Sequence, residues 1–194
     1  MTSLFLSQNT RGLKTLARID ATLDETFVRH GAFAAAFQET WRSDLDEWTD
    51  DAGRLFIGVG LHDTDQSRRG SQGVAIALSP PAVQAWQDAK CEKHLHLGAR
   101  VMAVRLLLQQ PNKEAIGVLF ACAYAPTSAA SADQWTAYYD AIAILLSRKQ
   151  PNDIFLMRCD CNASIGCNDT TTMPDTGSVG PYGIFPTLMS LGES

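Results

Sequence analysis

Apolar residues recur along the chain with two different spacings, which predict helices and strands respectively. Positions Leu13, Leu16, Leu23 and Phe27 recur at about 3.6 residues, the period of an amphipathic helix. Apolar runs of strand length are found at residues 32–37, 55–61, 73–78, 101–108, 116–124 and 154–157. The runs 101–108 and 116–124 are apolar at successive positions, which is typical of strands buried on both faces.

Two further helices are predicted from local signals at their first turns. Pro80 and Pro81 open a short helix through Trp86, because proline is tolerated where the backbone N–H has no helical partner. Ser131 and Gln134 have the spacing of a capping box. That box opens a longer helix, ended by Pro151-Asn152, whose predicted apolar face is Trp135, Tyr138, Ile142, Leu145 and Leu146. No repeat, charge block or linker interrupts the series, so we expect one α/β domain over residues 1–194.

Composition and charge narrow the class of protein. The chain has 194 residues, of which 45% are apolar and 19% charged, and this balance belongs to a globular protein rather than a disordered one. Its net charge is −5 and its pI is near 5.3, whereas a general nucleic-acid-binding domain is usually basic. Binding to nucleic acid would therefore have to depend on a local site.

Cysteine usage and the first residues indicate the compartment. An odd number of cysteines in a chain of this length favours reduced thiols and an intracellular protein, in the cytoplasm or nucleus. They are Cys91, Cys122, Cys159, Cys161 and Cys167. The first residues lack the basic region and long apolar run of a signal peptide, so secretion is not expected. No window has about 18 consecutive apolar residues, so we expect no membrane association, and nothing in the sequence indicates a protein partner.

Polar side chains follow three of the predicted buried strands. Gln38 and Glu39 follow the first of these strands, Tyr124 closes another, and Asp160 comes shortly after the last. Ligands of α/β proteins tend to collect where strands end, and a carboxylate is costly to desolvate there unless a cation holds it. Oxygen ligands of this kind suit Mg²⁺ or Mn²⁺. The competing interpretation, valid for many single residues of this type, is a solvated loop carboxylate.

Five short motifs carry a family resemblance. They are NTRGL at 9–13, FQETW at 37–41, GVAIALS at 73–79, YAPT at 124–127 and DCNASIG at 160–166. This ordered set resembles the endonuclease/exonuclease/phosphatase superfamily, and within it the apurinic-type endonuclease domain of non-long-terminal-repeat retrotransposons. The resemblance spans residues 9–183. It implies a four-layer α/β sandwich and Mg²⁺-dependent (or Mn²⁺-dependent) phosphodiester cleavage in nucleic acid, with DNA the favoured substrate.

The resemblance also implies a role for each matching residue. Glu39 corresponds to the metal-binding glutamate and Asn9 to the asparagine at the edge of the metal site. Tyr124 corresponds to the tyrosine that contacts the scissile phosphate. Asp160 matches the aspartate that orients or deprotonates the attacking water, and Asn162 the neighbouring phosphate-contacting asparagine.

The sequence departs from the family pattern in two places. Cys159 stands where the family has a glycine, before the Asp160 loop. The family also ends with a strand carrying an Asp-His pair, whereas GPYG at 180–183 resembles a loop well before that strand. We therefore expect a domain incomplete at its C-terminus, without that pair and without the closing strands of the second sheet.

Alternative functions follow from these departures and from the charge. One is a catalytically silent remnant that keeps the fold. Another is a phosphatase or phosphodiesterase of the same superfamily acting on a small molecule, which the acidic pI favours.

Two arginines and a group of three cysteines have two interpretations each. Arg68 and Arg69, in the polar loop 62–72, are candidate contacts to a DNA backbone or ordinary solvated loop residues. Cys159, Cys161 and Cys167 suggest a zinc site but offer no clear fourth ligand, which structural zinc sites require. The competing interpretation places Cys161 in the core as a small hydrophobic residue.

Overall fold

Two β-sheets lie face to face in the computed structural model, which describes residues 3–42, 45–60, 72–95 and 98–162. The strands of the first sheet are β1 (Phe5–Asn9), β2 (Ala34–Gln38), β3 (Leu45–Thr49), β4 (Leu55–Val59) and β5 (Val74–Leu78). Their spatial order is β1-β2-β5-β4-β3. The β1–β2 pair is parallel, and the other pairs of this sheet are antiparallel.

The second sheet keeps its strands in chain order. They are β6 (Lys93–Leu95), β7 (Val101–Gln110), β8 (Lys113–Tyr124) and β9 (Ile154–Asp160). β6, β7 and β8 pair antiparallel, whereas β9 runs parallel to β8. Each sheet thus contains one parallel pair, β1–β2 in the first and β8–β9 in the second.

Two of the helices begin at a residue whose side chain caps the first turn. The helices are α1 (Leu16–Leu23), continued by a π-helical segment (Asp24–Arg29), α2 (Pro80–Asp88) and α3 (Ala132–Arg148). The Thr15 hydroxyl accepts the Arg18 N–H at the start of α1. The predicted capping box of Ser131 and Gln134 is present at the start of α3, with both of its hydrogen bonds.

Three hydrophobic clusters divide the domain into four layers. The largest fills the space between the sheets and includes the buried side chains of Ile57, Ile76 and Phe120. The second joins Ile19 and Leu23 of α1 to the outer face of the first sheet. In the third, α3 covers the outer face of the second sheet through Tyr138 and Leu145, among others. The prediction of an α/β sandwich is confirmed, with helices against the outer faces of both sheets.

Several predicted boundaries change, and three strands were missed. The run 32–37 forms a strand only over Ala34–Gln38. The missed strands are β1, β3 and β6. They are short and partly exposed, so they lack the long apolar run that indicates a buried strand.

The prediction that Leu146 lies on the apolar face of α3 was wrong. It is 46% exposed, because the neighbouring Leu145 occupies the inward position.

Some sequence predictions fall outside the described residues. These are the loop carrying Arg68 and Arg69, the thiol of Cys167, the GPYG segment and the expectation about closing strands.

Within the described ranges, no helix combines the length and apolar character needed to cross a membrane.

Candidate active site

The two parallel strand pairs bring four polar strand ends to one end of the sandwich. Asn9, at the end of β1, pairs in register with Gln38, at the end of β2. Tyr124 and Asp160 are paired in the same way at the ends of β8 and β9. Parallel neighbours end at the same sheet edge, so each sheet contributes two adjacent strand ends to this site.

A single amide group joins the two carboxylates of the site. The Asn9 Nδ2 donates to Glu39 Oε1 at 2.8 Å and to Asp160 Oδ2 at 2.7 Å, so both of its hydrogens are used. The backbone N–H of Arg11 donates to Asn9 Oδ1 at 3.1 Å, which fixes which end of the amide faces the carboxylates. Two anionic oxygens, one from each sheet, therefore lie no further apart than two hydrogen-bond lengths.

Tyr124 and Asn162 complete the cluster. The Tyr124 hydroxyl donates to Glu39 Oε1 at 3.2 Å. The pKa of Tyr124 is raised, chiefly by burial and further by the nearby negative charge of Glu39, so the phenol is a proton donor at neutral pH. The Asn162 backbone N–H donates to Asp160 Oδ1 at 3.1 Å, and its side-chain amide donates to the Ala125 carbonyl at 2.7 Å.

Several residues at this end of the sandwich have left-handed backbone conformations. Glu39 has φ 54°, Trp41 φ 53°, Arg11 φ 46° and Asn162 φ 44°. Non-glycine residues adopt such angles rarely, and the cost, of order 1–3 kcal/mol each, is tolerated only where surrounding contacts over-determine the loop. Four such residues so close to the carboxylates indicate that the loop geometry is imposed by tertiary contacts.

Hydrogen bonds from neighbouring loops hold the Glu39 backbone in place. The Gly12 N–H donates to the Glu39 carbonyl at 2.7 Å, and the buried Thr10 hydroxyl reaches the same carbonyl at 3.2 Å. The next residue, Thr40, donates its N–H to Gly73 O at 3.1 Å. Both glycines have positive φ, and a Cβ on Gly73 would lie 2.5 Å from Thr40 Oγ1.

Polar contacts centred on the buried Gln38 join the two sheets. Gln38, only 1% exposed, donates from Nε2 to Ser7 Oγ at 3.2 Å and to Cys122 Sγ at 3.4 Å across the sheet interface. Burial raises the pKa of the Cys122 thiol strongly, so this sulfur remains protonated and donates to the Phe37 carbonyl at 3.3 Å. Arg158 links the sheets as well, by donating to the Phe5 carbonyl at 3.0 Å.

Four cationic side chains lie on segments next to residues of the site, although the chain as a whole is acidic. Arg11, Lys14 and Arg18 are exposed on the segment after β1. Lys14 lies over the Trp41 ring at 5.9 Å, and Arg18 donates to the Thr10 carbonyl at 3.2 Å. On the other sheet the Arg100 guanidinium stacks over the Tyr124 ring at 5.4 Å. Burial lowers the pKa of Arg100, but a guanidinium remains charged at neutral pH.

The structure brings together all five residues singled out at the strand ends: Asn9, Glu39, Tyr124, Asp160 and Asn162. It also shows that the Asn9 amide faces the carboxylates through nitrogen rather than oxygen. In this arrangement Asn9 positions the carboxylates, and it could ligate a metal only after its amide turned.

One of the cysteine interpretations was wrong. Cys161 does not point into the core but is exposed. It directly follows Asp160, where β9 ends, and there the chain leaves the core.

Sequence reasoning missed three further residues of the site: Thr10, Gln38 and Arg100. Gln38 carried a signal, because it is a polar residue directly between the buried strand and Glu39. Thr10 and Arg100 had none, since their contacts are made with residues far away in the chain.

Glu39 and Asp160 have the donor chemistry of a Mg²⁺ site. In the described parts of the chain, no group of three or more His, Cys, Asp or Glu side chains is placed to hold a metal ion. Mg²⁺ is commonly held by one or two carboxylates, with water and substrate phosphate completing the coordination. The two carboxylates joined by Asn9 fit that pattern.

Comparisons of the sequence with protein-family models and with curated proteins found no match.

Proposed function

We propose that this protein is a Mg²⁺-dependent phosphodiesterase that cleaves nucleic acid, with DNA as the favoured substrate. The observation that carries the proposal is the Asn9 amide held between Glu39 and Asp160, at 2.8 and 2.7 Å. Like charges at this spacing repel each other. Two carboxylates from separate sheets that are oriented by one shared donor therefore indicate a functional site rather than two ordinary solvated loop residues.

The residues divide the chemistry of phosphodiester hydrolysis between them. Glu39 and Asp160 would hold the metal, and when bound the ion supplies Lewis acidity and neutralises charge on the phosphate. Asp160 also orients the attacking water, since its carboxylate is already fixed by Asn9 and by the Asn162 N–H. The second hydrogen of the Asn162 amide would supply a donor for a phosphate oxygen, and the protonated Tyr124 would supply another once its hydroxyl turned away from Glu39.

The cations at the edge of the site support a polyanionic substrate. Arg11, Lys14 and Arg18 are exposed on the segment that follows Asn9, and the Arg100 guanidinium lies over the Tyr124 ring. Phosphate contacts fix the position of a nucleic acid and need only a few placed cations. A local basic surface is compatible with an overall charge of −5.

Two assays in the presence of Mg²⁺ test the proposal. One measures nicking of supercoiled plasmid, and the other measures cleavage of a duplex that contains one abasic site. The parent chain is expected to cut, and E39Q and D160N to lose at least about a hundredfold in rate, because each removes a charge at the reacting centre. E114Q and D140N make the same chemical changes at exposed positions outside the site and should cut like the parent. Cleavage that survives both E39Q and D160N would refute the site.

Metal binding gives a readout that does not depend on turnover. Calorimetric titration with Mn²⁺ should show one site in the parent and in E114Q, and a weakened site in E39Q. A small-molecule phosphodiesterase would hydrolyse bis(p-nitrophenyl) phosphate without nicking DNA. A silent remnant would bind Mn²⁺ or DNA without cutting either substrate.

A further inference from the structure

The chain segments that follow β1 and β2 remain in contact beyond the ends of the two strands. Asn9 precedes the first segment and Glu39 begins the second. The Gly12 N–H donates to the Glu39 carbonyl at 2.7 Å. The Leu13 N–H donates to the Thr40 carbonyl, also at 2.7 Å. The relative position of the two segments therefore decides whether the Asn9 amide reaches the Glu39 carboxylate, which it meets at 2.8 Å.

The Trp41 ring packs directly against Gly12. A Cβ at this glycine would lie 2.6 Å from Trp41 Cε3 and 3.0 Å from Cζ3, so the ring occupies the space that a side chain would need. Gly12 is buried and has a φ of 109°, which residues with a side chain rarely adopt. The glycine therefore lets the two segments approach each other more closely than another residue would allow.

Other contacts of Trp41 hold the ring over Gly12. The Trp41 backbone N–H donates to the Gln72 carbonyl at 2.9 Å, and Lys14 Nζ lies 5.9 Å from the ring centroid. Among the residues that the structure describes, the buried indole N–H has no hydrogen-bond partner. Buried indoles usually have one, so Trp41 acts through the packing of its ring rather than through its N–H.

We propose that Trp41 is a positioning residue, whose ring holds the segment after Asn9 against the Glu39 segment and so keeps the Asn9 amide on the Glu39 carboxylate. The effect on cleavage rests on the proposed phosphodiesterase function, whereas the effect on Asn9 does not. Removal of the ring leaves empty space beside a glycine, the residue with the most backbone freedom. Misplacement of a reacting group by about 1 Å costs on the order of a hundredfold in rate.

The test compares variants of Trp41 with the same change at Trp48, all in the full chain. Trp48 is on β3, at the opposite edge of the first sheet from β1, and its ring stacks on Phe56 at 5.7 Å. Like Trp41, it is half-buried, and its indole N–H has no partner within the described ranges. W48A therefore controls for the loss of an indole that lies outside the site.

Plasmid nicking should separate turnover from substrate binding. W41A should lower kcat by at least about tenfold and leave KM within about twofold, because the ring orients a carboxylate and does not contact the substrate. W41F keeps a flat ring over Gly12 and should retain at least about half of the parent's kcat. W41L keeps apolar bulk for folding without a flat ring and should resemble W41A, whereas W48A should match the parent. A higher KM at unchanged kcat in W41A would make Trp41 a substrate contact and overturn the proposal.

A double-mutant cycle tests the contact between the ring and the glycine. G12A places a methyl group against the ring, so its loss in kcat should be several times larger in the parent than in the W41A background. Equal losses in the two backgrounds would show that the ring and the glycine act independently, and the proposal would then be wrong.

The position of Asn9 can be measured without turnover. Both hydrogens of its side-chain amide are bonded to carboxylates, at 2.8 and 2.7 Å, so their NMR signals report these contacts. The signals should shift in W41A and W41L and stay in place in W41F and W48A. Unchanged signals in W41A would overturn the proposal. Shifted signals without nicking by any sample, the parent included, would refute the proposed function but not the positioning role.

Discussion

The ion pair between Arg105 and Asp153 anchors the start of β9, and breaking it should destabilise the protein strongly. Arg105 on β7 donates to both carboxylate oxygens of Asp153, at 2.8 Å each. The two side chains are only 11% and 4% exposed. The carboxylate occupies the space over Gly117, where a Cβ would lie 1.7 Å from Asp153 Oδ1. Removal of one partner from a buried pair costs about 3–5 kcal/mol, because the other charge is left without compensation.

Urea unfolding, followed by tryptophan fluorescence, measures this cost. With a slope of about 2 kcal/mol per molar urea, a loss of about 3 kcal/mol in D153A or R105M lowers the midpoint by about 1.5 M. The double variant R105M/D153L should recover most of the loss, because no charge remains buried. Additive losses in the double variant would refute the reasoning. D140A removes an exposed carboxylate and should change the unfolding free energy by less than about 0.5 kcal/mol.

The same pair predicts a dependence on pH. Arg105 holds the pKa of Asp153 below its usual range, so the pair's contribution is complete at neutral pH. As the pH falls below about 4 and approaches the folded-state pKa, protonation of Asp153 removes that contribution. The parent should therefore lose its stability advantage over D153A in acid. An advantage that is constant from pH 7 to pH 2 would contradict this assignment.

Three further predictions concern single positions. N9A removes the donor shared by both carboxylates and should lower nicking by at least about tenfold without changing the fold, whereas the exposed neighbour variant Q8A should match the parent. An unchanged rate in N9A would remove Asn9 from the site. G73A places a Cβ against Thr40 at a φ of 107°, so its urea midpoint should fall by an amount equivalent to about 1–3 kcal/mol. A midpoint equal to the parent's would show that the loop relaxes. S131A breaks the capping box of α3 and should cost about 1 kcal/mol, measured in the same way, and S128A is its exposed control. Equal midpoints would show that the cap contributes nothing.

Local patterns were sufficient to predict the elements that are long or strongly apolar. β4, β5, β7 and β8 were found from continuous runs, because strands buried on both faces need apolar residues throughout. The start of α3 was found from its capping box. β1 and β3 were not, since half-exposed strands of five residues resemble polar loops and form through pairing with a neighbour.

The sequence by itself was sufficient to single out the polar residues near the strand ends, including Glu39, Tyr124 and Asp160. Only the tertiary structure decided that they meet, because the site depends on two parallel strand pairs in separate sheets. Asn9 and Asp160 are 151 positions apart in the chain, and their contact at 2.7 Å exists only once the sheets pack together. The same packing buried Gln38 and the side chain of Arg105. It left Cys161 exposed, whereas one of the two interpretations of the sequence placed this small hydrophobic residue in the core. A side chain's environment depends on which strands are neighbours, and that pairing is a property of the whole fold.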